Sequence, residues 1–195
     1  VSPGDGRVLT EDEVRSASKG GPDLAGQASA KAAAAEAEQA QAEFEAKKKE
    51  VENRNAIINA ALKAGNEAYA AKNYALAVEK FDEGIAANPE FLGSAPILLN
   101  NKGVVLKQKA IEEYNANLRN TDAAQRAAGM QQVQADLGES AESFYKAWKM
   151  LKDATGDTLS AEQKAAQEKT AIEGARDAYR VMVETSKVDP DQTAN

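Results

Sequence analysis

The sequence predicts an all-α fold for this chain of 195 residues. Forty-one of the residues are Ala, the amino acid with the highest intrinsic helix propensity. Apolar residues recur at steps of three and four through most of the chain, which is the spacing of one face of a helix. The stretch 28–64 contains no Gly or Pro that would interrupt a helix. Together these observations predict long helices that pack on one another.

The first 23 residues differ in composition from the rest of the chain. They are rich in Gly and Pro and lack a periodic apolar face, so 1–23 are predicted to be an extended or disordered arm. An alternative is that the arm docks into a groove of its own chain or of a neighbour. Because the chain begins with Val, we expect a mature protein whose leader has been removed. This predicts a periplasmic or secreted location, with a trimmed cytoplasmic chain as the alternative.

Residues 24–56 are predicted to form an Ala-rich helical extension. Apolar positions follow alternating steps of four and three, like the seam of a coiled coil, although Lys47 and Arg54 interrupt them. An Ala seam lets helices approach closely but buries little apolar area, so this helix needs a partner. The candidate self-association residues belong to the seam: Ala33, Ala37, Ala40, Phe44 and Val51.

Residues 61–90 contain two short apolar-periodic helices joined by a tight turn at 72–73. The second helix is expected to stop at Asn88, because the residue before a proline disfavours the helical conformation. Four residues carry a spaced motif: Gly65, Ala77, Phe81 and Pro89. With this motif the segment resembles a tetratricopeptide repeat (TPR), a helix–turn–helix unit.

One repeat cannot bury its own apolar face, so a second repeat is expected to follow. Residues 94–96, Ser-Ala-Pro, predict the start of a helix in which Gly103 takes the place of Gly65. The closing motif returns late, as Ser140-x3-Phe144. Since helical periodicity continues on both sides of a turn at 120–122, we interpret this region as a second hairpin. Each of its helices is longer by about twelve residues, or about 18 Å. An irregular insertion is the alternative.

A fifth helix is predicted after Gly156, with Ser160 and Gln163 as a capping box. It lacks the TPR motif and is interpreted as a cap over the last repeat. The predicted architecture is therefore TPR-like helical hairpins with a long N-terminal helix and a C-terminal capping helix. The helical domain spans 57–187, and 188–195 form a tail.

Composition excludes several classes of function. The chain has no His and no Cys, which excludes zinc and haem sites held by these residues, disulfides, and Ser–His or Cys–His catalytic pairs. We expect no cofactor, no metal and no enzymatic activity, with an enzyme that works through carboxylates alone as the remaining alternative. A net charge of −7 argues against nucleic acid as a partner. No apolar stretch is long enough to predict a transmembrane segment.

The resemblance to TPR proteins implies a non-catalytic scaffold that binds a protein or peptide segment in a groove lined by the first helix of each repeat. Asn66 and Asn101 match two Asn positions of the family's carboxylate-binding members. Lys63, Tyr69 and Lys102 lie near them in sequence and complete the candidate groove.

A second hypothesis is a structural subunit that assembles with copies of itself into a homo-oligomer or filament. The N-terminal extension and the long hairpin are predicted to lengthen opposite ends of the repeats. Each leaves an apolar seam that needs a partner, and the N-terminal arm could contribute to the contact. Head-to-tail association of this kind gives open polymers unless the rotation between subunits closes a ring.

Overall fold

The computed structural model describes residues 10–12, 15, 24–156 and 158–187. In this part of the chain it has five long α-helices and no strand, which confirms the all-α class. In chain order the helices are α1 (Leu24–Ala70), α2 (Tyr74–Ala87), α3 (Ala95–Asn117), α4 (Ala123–Asp153) and α5 (Ala161–Ser186). The predicted arm, apart from four residues, and the predicted tail lie outside the described residues.

The chain divides into two compact units between Glu50 and Val51, within α1. In the first unit, every helical residue from 31 to 50 is exposed. The exposed residues include four of the five predicted seam residues, and the Phe44 side chain is 64% accessible to solvent. The fifth, Val51, begins the second unit and is also exposed. The second unit contains the end of α1, the other four helices and all of the buried core that the structure describes.

The turn between α1 and α2 lies where the sequence predicts it. Lys72 adopts a left-handed conformation with φ of 58°, and the backbone N–H of Asn73 donates to the carbonyl of Ala68 at 2.8 Å. The side-chain oxygen of Asn73 then accepts from the backbone N–H of Leu76 and caps α2. The far end of α2 is also as predicted, with Asn88 as the C-terminal cap.

The predicted helix starts differ in how they are capped. Ser94 precedes α3, but its hydroxyl makes no capping bond and is buried without a partner, so Pro96 in the first turn is the remaining start signal. Ser160 and Gln163 form the complete capping box that the sequence predicts for α5. Helix α4 ends at Asp153, slightly before the predicted Gly156.

Only half of a capping box forms at the start of α4. The Asp122 carboxylate accepts from the backbone N–H of Gln125 at 3.0 Å. The Gln125 side chain does not return to Asp122, because it accepts from the amide of Asn120 instead. The backbone N–H of Asp122 donates to the Asn120 side-chain oxygen at 2.9 Å, so Asn120 completes the turn.

The second hairpin is lengthened, but unequally. Helix α3 continues 14 residues past Gly103, whereas α1 continues 5 past Gly65. Helix α4 has 21 residues before Phe144, whereas α2 has 7 before Phe81. The extension is therefore 9 residues on one helix and 14 on the other, rather than about twelve on each.

The buried core contains three apolar clusters in the second unit. One joins α1, α2 and α3 around Phe81, a second joins α3, α4 and α5 around Ala147, and a third fills the lengthened part of the hairpin around Val133. These clusters place α2 and α4 against α3, and α5 against α3 and α4. This packing positions the candidate site described next.

Close contacts between glycine and phenylalanine hold both hairpins together. A Cβ added to Gly65 would lie 2.5 Å from the Phe81 ring, and one added to Gly103 would lie 2.7 Å from the Phe144 ring. The opposite edge of the Phe144 ring is closer still to Gly174 of α5, where an added Cβ would lie 2.4 Å from the ring. Gly65 and Gly103 are therefore positions where two helices approach closely.

Candidate binding groove

An open groove of about 980 Å³ lies in the second unit, between α2, α3 and α4. Helices α2 and α4 both pack on α3, and the loop after α2 and the end of α4 extend the walls. Apolar side chains line part of the groove: Ile85, Pro89, Leu92, Leu99 and Met150. Its volume is at the upper end of the range of about 300 to 1,000 Å³ that is typical of ligand pockets. A peptide segment could occupy it.

Charged side chains also line the groove, and acids outnumber bases. Five are carboxylates, Asp82, Glu90, Glu139, Glu142 and Asp153. Three are lysines, Lys102, Lys146 and Lys149. The groove therefore combines an apolar surface with an excess of negative charge.

Lys102 joins the two walls of the groove. Its side chain is only 13% exposed, and its Nζ lies 2.8 Å from Asp82 on α2 and 2.8 Å from Glu139 on α4. Although burial opposes its charge, the hydrogen bonds to these two carboxylates raise the pKa of Lys102 above its usual value. Lys102 is thus a positively charged residue of α3 that links α2 to α4 through two ion pairs.

The structure places the five predicted groove residues on different surfaces. Lys102 lines the groove, whereas the other four do not. Lys63 and Asn66 are exposed, and the Lys63 ammonium lies 3.9 Å from Glu67. Tyr69 is half-buried against the first core cluster, with its ring 6.1 Å from that of Tyr74, and Asn101 is half-buried on α3.

The sequence did not predict most of the groove lining, which includes Ile85, Met150, Lys146 and Lys149. A partial indication was available, because Glu142, Lys146 and Lys149 recur at steps of four and three on α4. That spacing alone predicts only an exposed charged face. The groove arises because α2 faces α4 over α3, and this relation between distant segments has no local sequence pattern.

Three further findings concern metal binding, membrane spans and similarity to known proteins. Among the described residues, no group of three or more carboxylates is arranged to hold a metal ion. Within the same residues, no helix combines the length and apolarity needed to cross a membrane. Comparisons with protein-family models, with curated proteins and with solved structures found no match to this chain.

Proposed function

We propose that this protein is a non-catalytic interaction scaffold that binds an extended segment of a partner protein in the groove between α2, α3 and α4. The groove itself carries the proposal, because it is open, large and partly apolar. Side chains of an extended segment alternate in direction. Apolar side chains of the partner would contact Ile85, Leu99 and Met150, while its polar side chains would meet the charged rim.

The charges of the groove indicate the chemistry of the partner. Glu142 is already paired with Lys146 at 2.8 Å, and Asp82 and Glu139 are paired with Lys102. Glu90 and Asp153 make no ion pair within the part of the chain that the structure describes. These two carboxylates are available to a partner, so we expect a segment with apolar anchors and Lys or Arg residues.

We also propose that the helices follow a TPR-like arrangement. Support comes from the equivalent contacts of Gly65 with Phe81 and of Gly103 with Phe144, one in each hairpin. In this arrangement α1 and α3 are the first helices of two repeats, and α2 and α4 are the second helices. The proposed groove then lies between second helices, on a different surface from the one that the resemblance implies.

Selection of peptides tests the proposed groove without knowledge of the natural partner. A phage-displayed library of random peptides would be selected against the full chain, and the affinity of the selected peptides would be measured by calorimetry. Replacing Glu90 and Asp153 with Lys is expected to weaken binding of basic peptides about tenfold or more, since two opposite charges become like charges. Replacing the exposed Glu79 and Glu162, which do not line the groove, is the matched control.

A second pair of substitutions separates this groove from the surface predicted by the TPR resemblance. Asn66→Ala with Asn101→Ala is expected to leave the affinity unchanged, because neither residue lines the groove. If this variant loses peptide binding while the Glu90 and Asp153 variant keeps it, the groove proposal is wrong. Failure to select any peptide on the wild-type chain would also count against it.

A further inference from the structure

Helix α5 repeats part of α1 in sequence. Residues 171–180, AIEGARDAYR, align without a gap to 61–70, ALKAGNEAYA. Both segments have Ala or Gly at the same four positions and share an Ala-Tyr pair at the eighth and ninth positions. Burial agrees as well, because Ala171 and Ala178 are buried like Ala61 and Ala68. Helix α5 therefore resembles the portion of α1 on which α2 packs.

In the first hairpin, this portion of α1 holds α2 through three residues. Gly65 contacts the Phe81 ring, and the Cβ of Ala61 lies 3.0 Å from the position of a Cβ on Gly84. Leu62 packs against the same cluster as Phe81. Ala77, four residues before Phe81, is fully buried in that cluster, so a helix with a small residue four positions before an aromatic one fits this surface.

The equivalent residues of α5 line an open pocket of about 220 Å³. They are Ala171, Ile172 and Ala175, and Tyr145 and Trp148 of α4 complete the pocket. In the first hairpin the corresponding surface is covered by α2. In α5 the corresponding surface is open to solvent and has Ala175 in place of Gly65, so an aromatic side chain from another helix could enter the pocket but could not approach α5 as closely as Phe81 approaches α1.

The apolar surface extends beyond the pocket along α5. Ile172, Tyr179 and Val183 are all more than half exposed. They lie on one helix face, since they are separated by steps of seven and four. Tyr145, also about half exposed, adjoins this face through the pocket. An apolar face of this extent is typical of an interaction site.

One edge of this face is basic. Lys169, Arg176 and Arg180 follow one another along it at steps of seven and four. Arg176 makes no ion pair among the described residues, whereas Lys169 pairs with Glu173, and Arg180 pairs with both Asp177 and Glu184. On the α4 side of the pocket, the Lys152 ammonium lies 4.7 Å from the centre of the Trp148 ring.

The first unit contains a helix segment that complements this face. Ala40 and Phe44 have the same spacing as Ala77 and Phe81 of α2, and Phe44 is 64% exposed. The seam that holds Phe44 has an acidic edge, because Glu36 and Glu43 precede its residues Ala37 and Phe44 at a spacing of seven. Lys47 interrupts the seam one turn after Phe44, so the match is limited to the aromatic anchor with the acids that precede it and the apolar pocket with its basic edge.

We propose that the exposed face of α5 is a docking site for α1 of a second copy of this chain. Phe44 of one copy enters the pocket at Tyr145, Trp148 and Ile172 of the other, and the two charged edges lie together. The two surfaces are different patches of the same chain, so the association is head-to-tail and continues into a ring or an open polymer. This site is separate from the peptide groove.

Complementary variants test this proposal in the full chain. Phe44→Glu and Tyr179→Glu each remove one of the two surfaces, and both side chains are exposed, so the fold is expected to persist. By light scattering after size-exclusion chromatography, the wild-type chain is expected to self-associate. Each variant alone should associate at least about tenfold more weakly, since an aromatic anchor at the centre of an interface contributes strongly. Leu76→Glu, at an exposed apolar position on α2, is the control that should behave as wild type.

Mixing the two variants gives the decisive result. Phe44→Glu keeps an intact α5 face and Tyr179→Glu keeps an intact α1 seam, so a mixture is expected to form heterodimers and nothing larger. Self-association of Phe44→Glu at the wild-type level would overturn the proposal, because another segment would then cover α5. A wild-type chain that stays monomeric at high concentration would overturn it too. Peptide binding in the groove should be the same in both variants, which keeps the two proposals separable.

Discussion

The two helical hairpins of this protein use the same contact but differ in what surrounds it. In the short hairpin of α1 and α2, Gly65 meets Phe81 and apolar packing completes the core. In the long hairpin of α3 and α4, Gly103 meets Phe144 and polar contacts are added beside it. The hydroxyl of Ser140 donates to the carbonyl of Gly103 at 2.6 Å in the interior.

The lengthened part of the second hairpin has its own polar contact between helices. The Lys109 ammonium pairs with the buried Asp136 carboxylate, and it also lies 3.0 Å from Glu113. Burial disfavours the charge of Lys109, yet the hydrogen bonds to these two acids raise its pKa. Long helices that pack mainly through small residues can slide along one another. A specific ion pair between two defined residues fixes the register of such helices. In the short hairpin, the tight turn fixes the register instead.

Truncation of the two phenylalanines would give the largest difference between the hairpins. Phe144 contacts glycines of two helices, α3 and α5, whereas Phe81 contacts one glycine, Gly65. Phe144→Ala is expected to cost about 3 to 5 kcal/mol of unfolding free energy, with Phe81→Ala toward the lower end of that range. Urea denaturation followed by circular dichroism would measure both. Equal losses of unfolding free energy in the two variants would show that the contact of Phe144 with α5 does not stabilise the protein.

Substitution of the packing glycines tests whether the close approach of helices matters equally in both hairpins. Gly65→Ala and Gly103→Ala each place a Cβ within 3 Å of a phenylalanine ring, and each is expected to destabilise the protein by about 1 to 3 kcal/mol. Gly138 of α4 is the matched control, because a Cβ there would meet nothing within 4 Å. Gly138→Ala should instead stabilise the helix by about 0.5 to 1 kcal/mol. Destabilisation by all three substitutions would contradict this explanation.

A smaller, pH-dependent effect is expected where α5 joins the long hairpin. Asp177 of α5 accepts hydrogen bonds from Lys107 of α3 and from Arg180, and these bonds hold its pKa below the ordinary value of 3.8. Because the folded-state pKa is lowered, the pair stabilises the protein above about pH 4 and loses this effect as the pH falls through the folded-state pKa.

Comparison with Asp177→Asn isolates this contribution. At about pH 7 the variant should be less stable by about 0.5 to 1 kcal/mol, since the pair is partly exposed. The difference should shrink as the pH is lowered toward 3, and urea denaturation at a series of pH values would show it. Glu67→Gln, at an exposed intrahelical pair with Lys63 on α1, is the control. A difference in unfolding free energy that does not change with pH would show that the contribution of Asp177 is not ionic.

Local patterns in the sequence predicted much of the fold. The all-α class, the stop before Pro89, the capping box at Ser160 and the packing roles of Gly65 and Gly103 each depend on a few neighbouring residues or on one repeated motif. The division of the extra length between α3 and α4 was not predictable in the same way. It depends on where Asn120 and Asp122 form their turn, and helical periodicity continues on both sides of that point.

The candidate sites were harder to predict, for two physical reasons. The groove depends on α2 and α4 facing each other over α3, and only Lys102 of the five candidate residues lines it. The sequence similarity of α5 to α1 was not found through the TPR motif. That motif has large residues at positions where this chain has Ala, so α5 does not match it. With a small side chain at these positions, the repeat is visible only when 171–180 is compared with 61–70 directly.

The position of Phe144 between two glycines also bears on how the protein unfolds. A single ring serves as the packing partner of both α3 and α5, so α5 cannot detach without loosening the contact that closes the hairpin. Helices that share a packing element in this way open together rather than one at a time. We therefore expect the amide hydrogens of α3, α4 and α5 to exchange with solvent through one common opening, so that these three helices unfold as one cooperative unit.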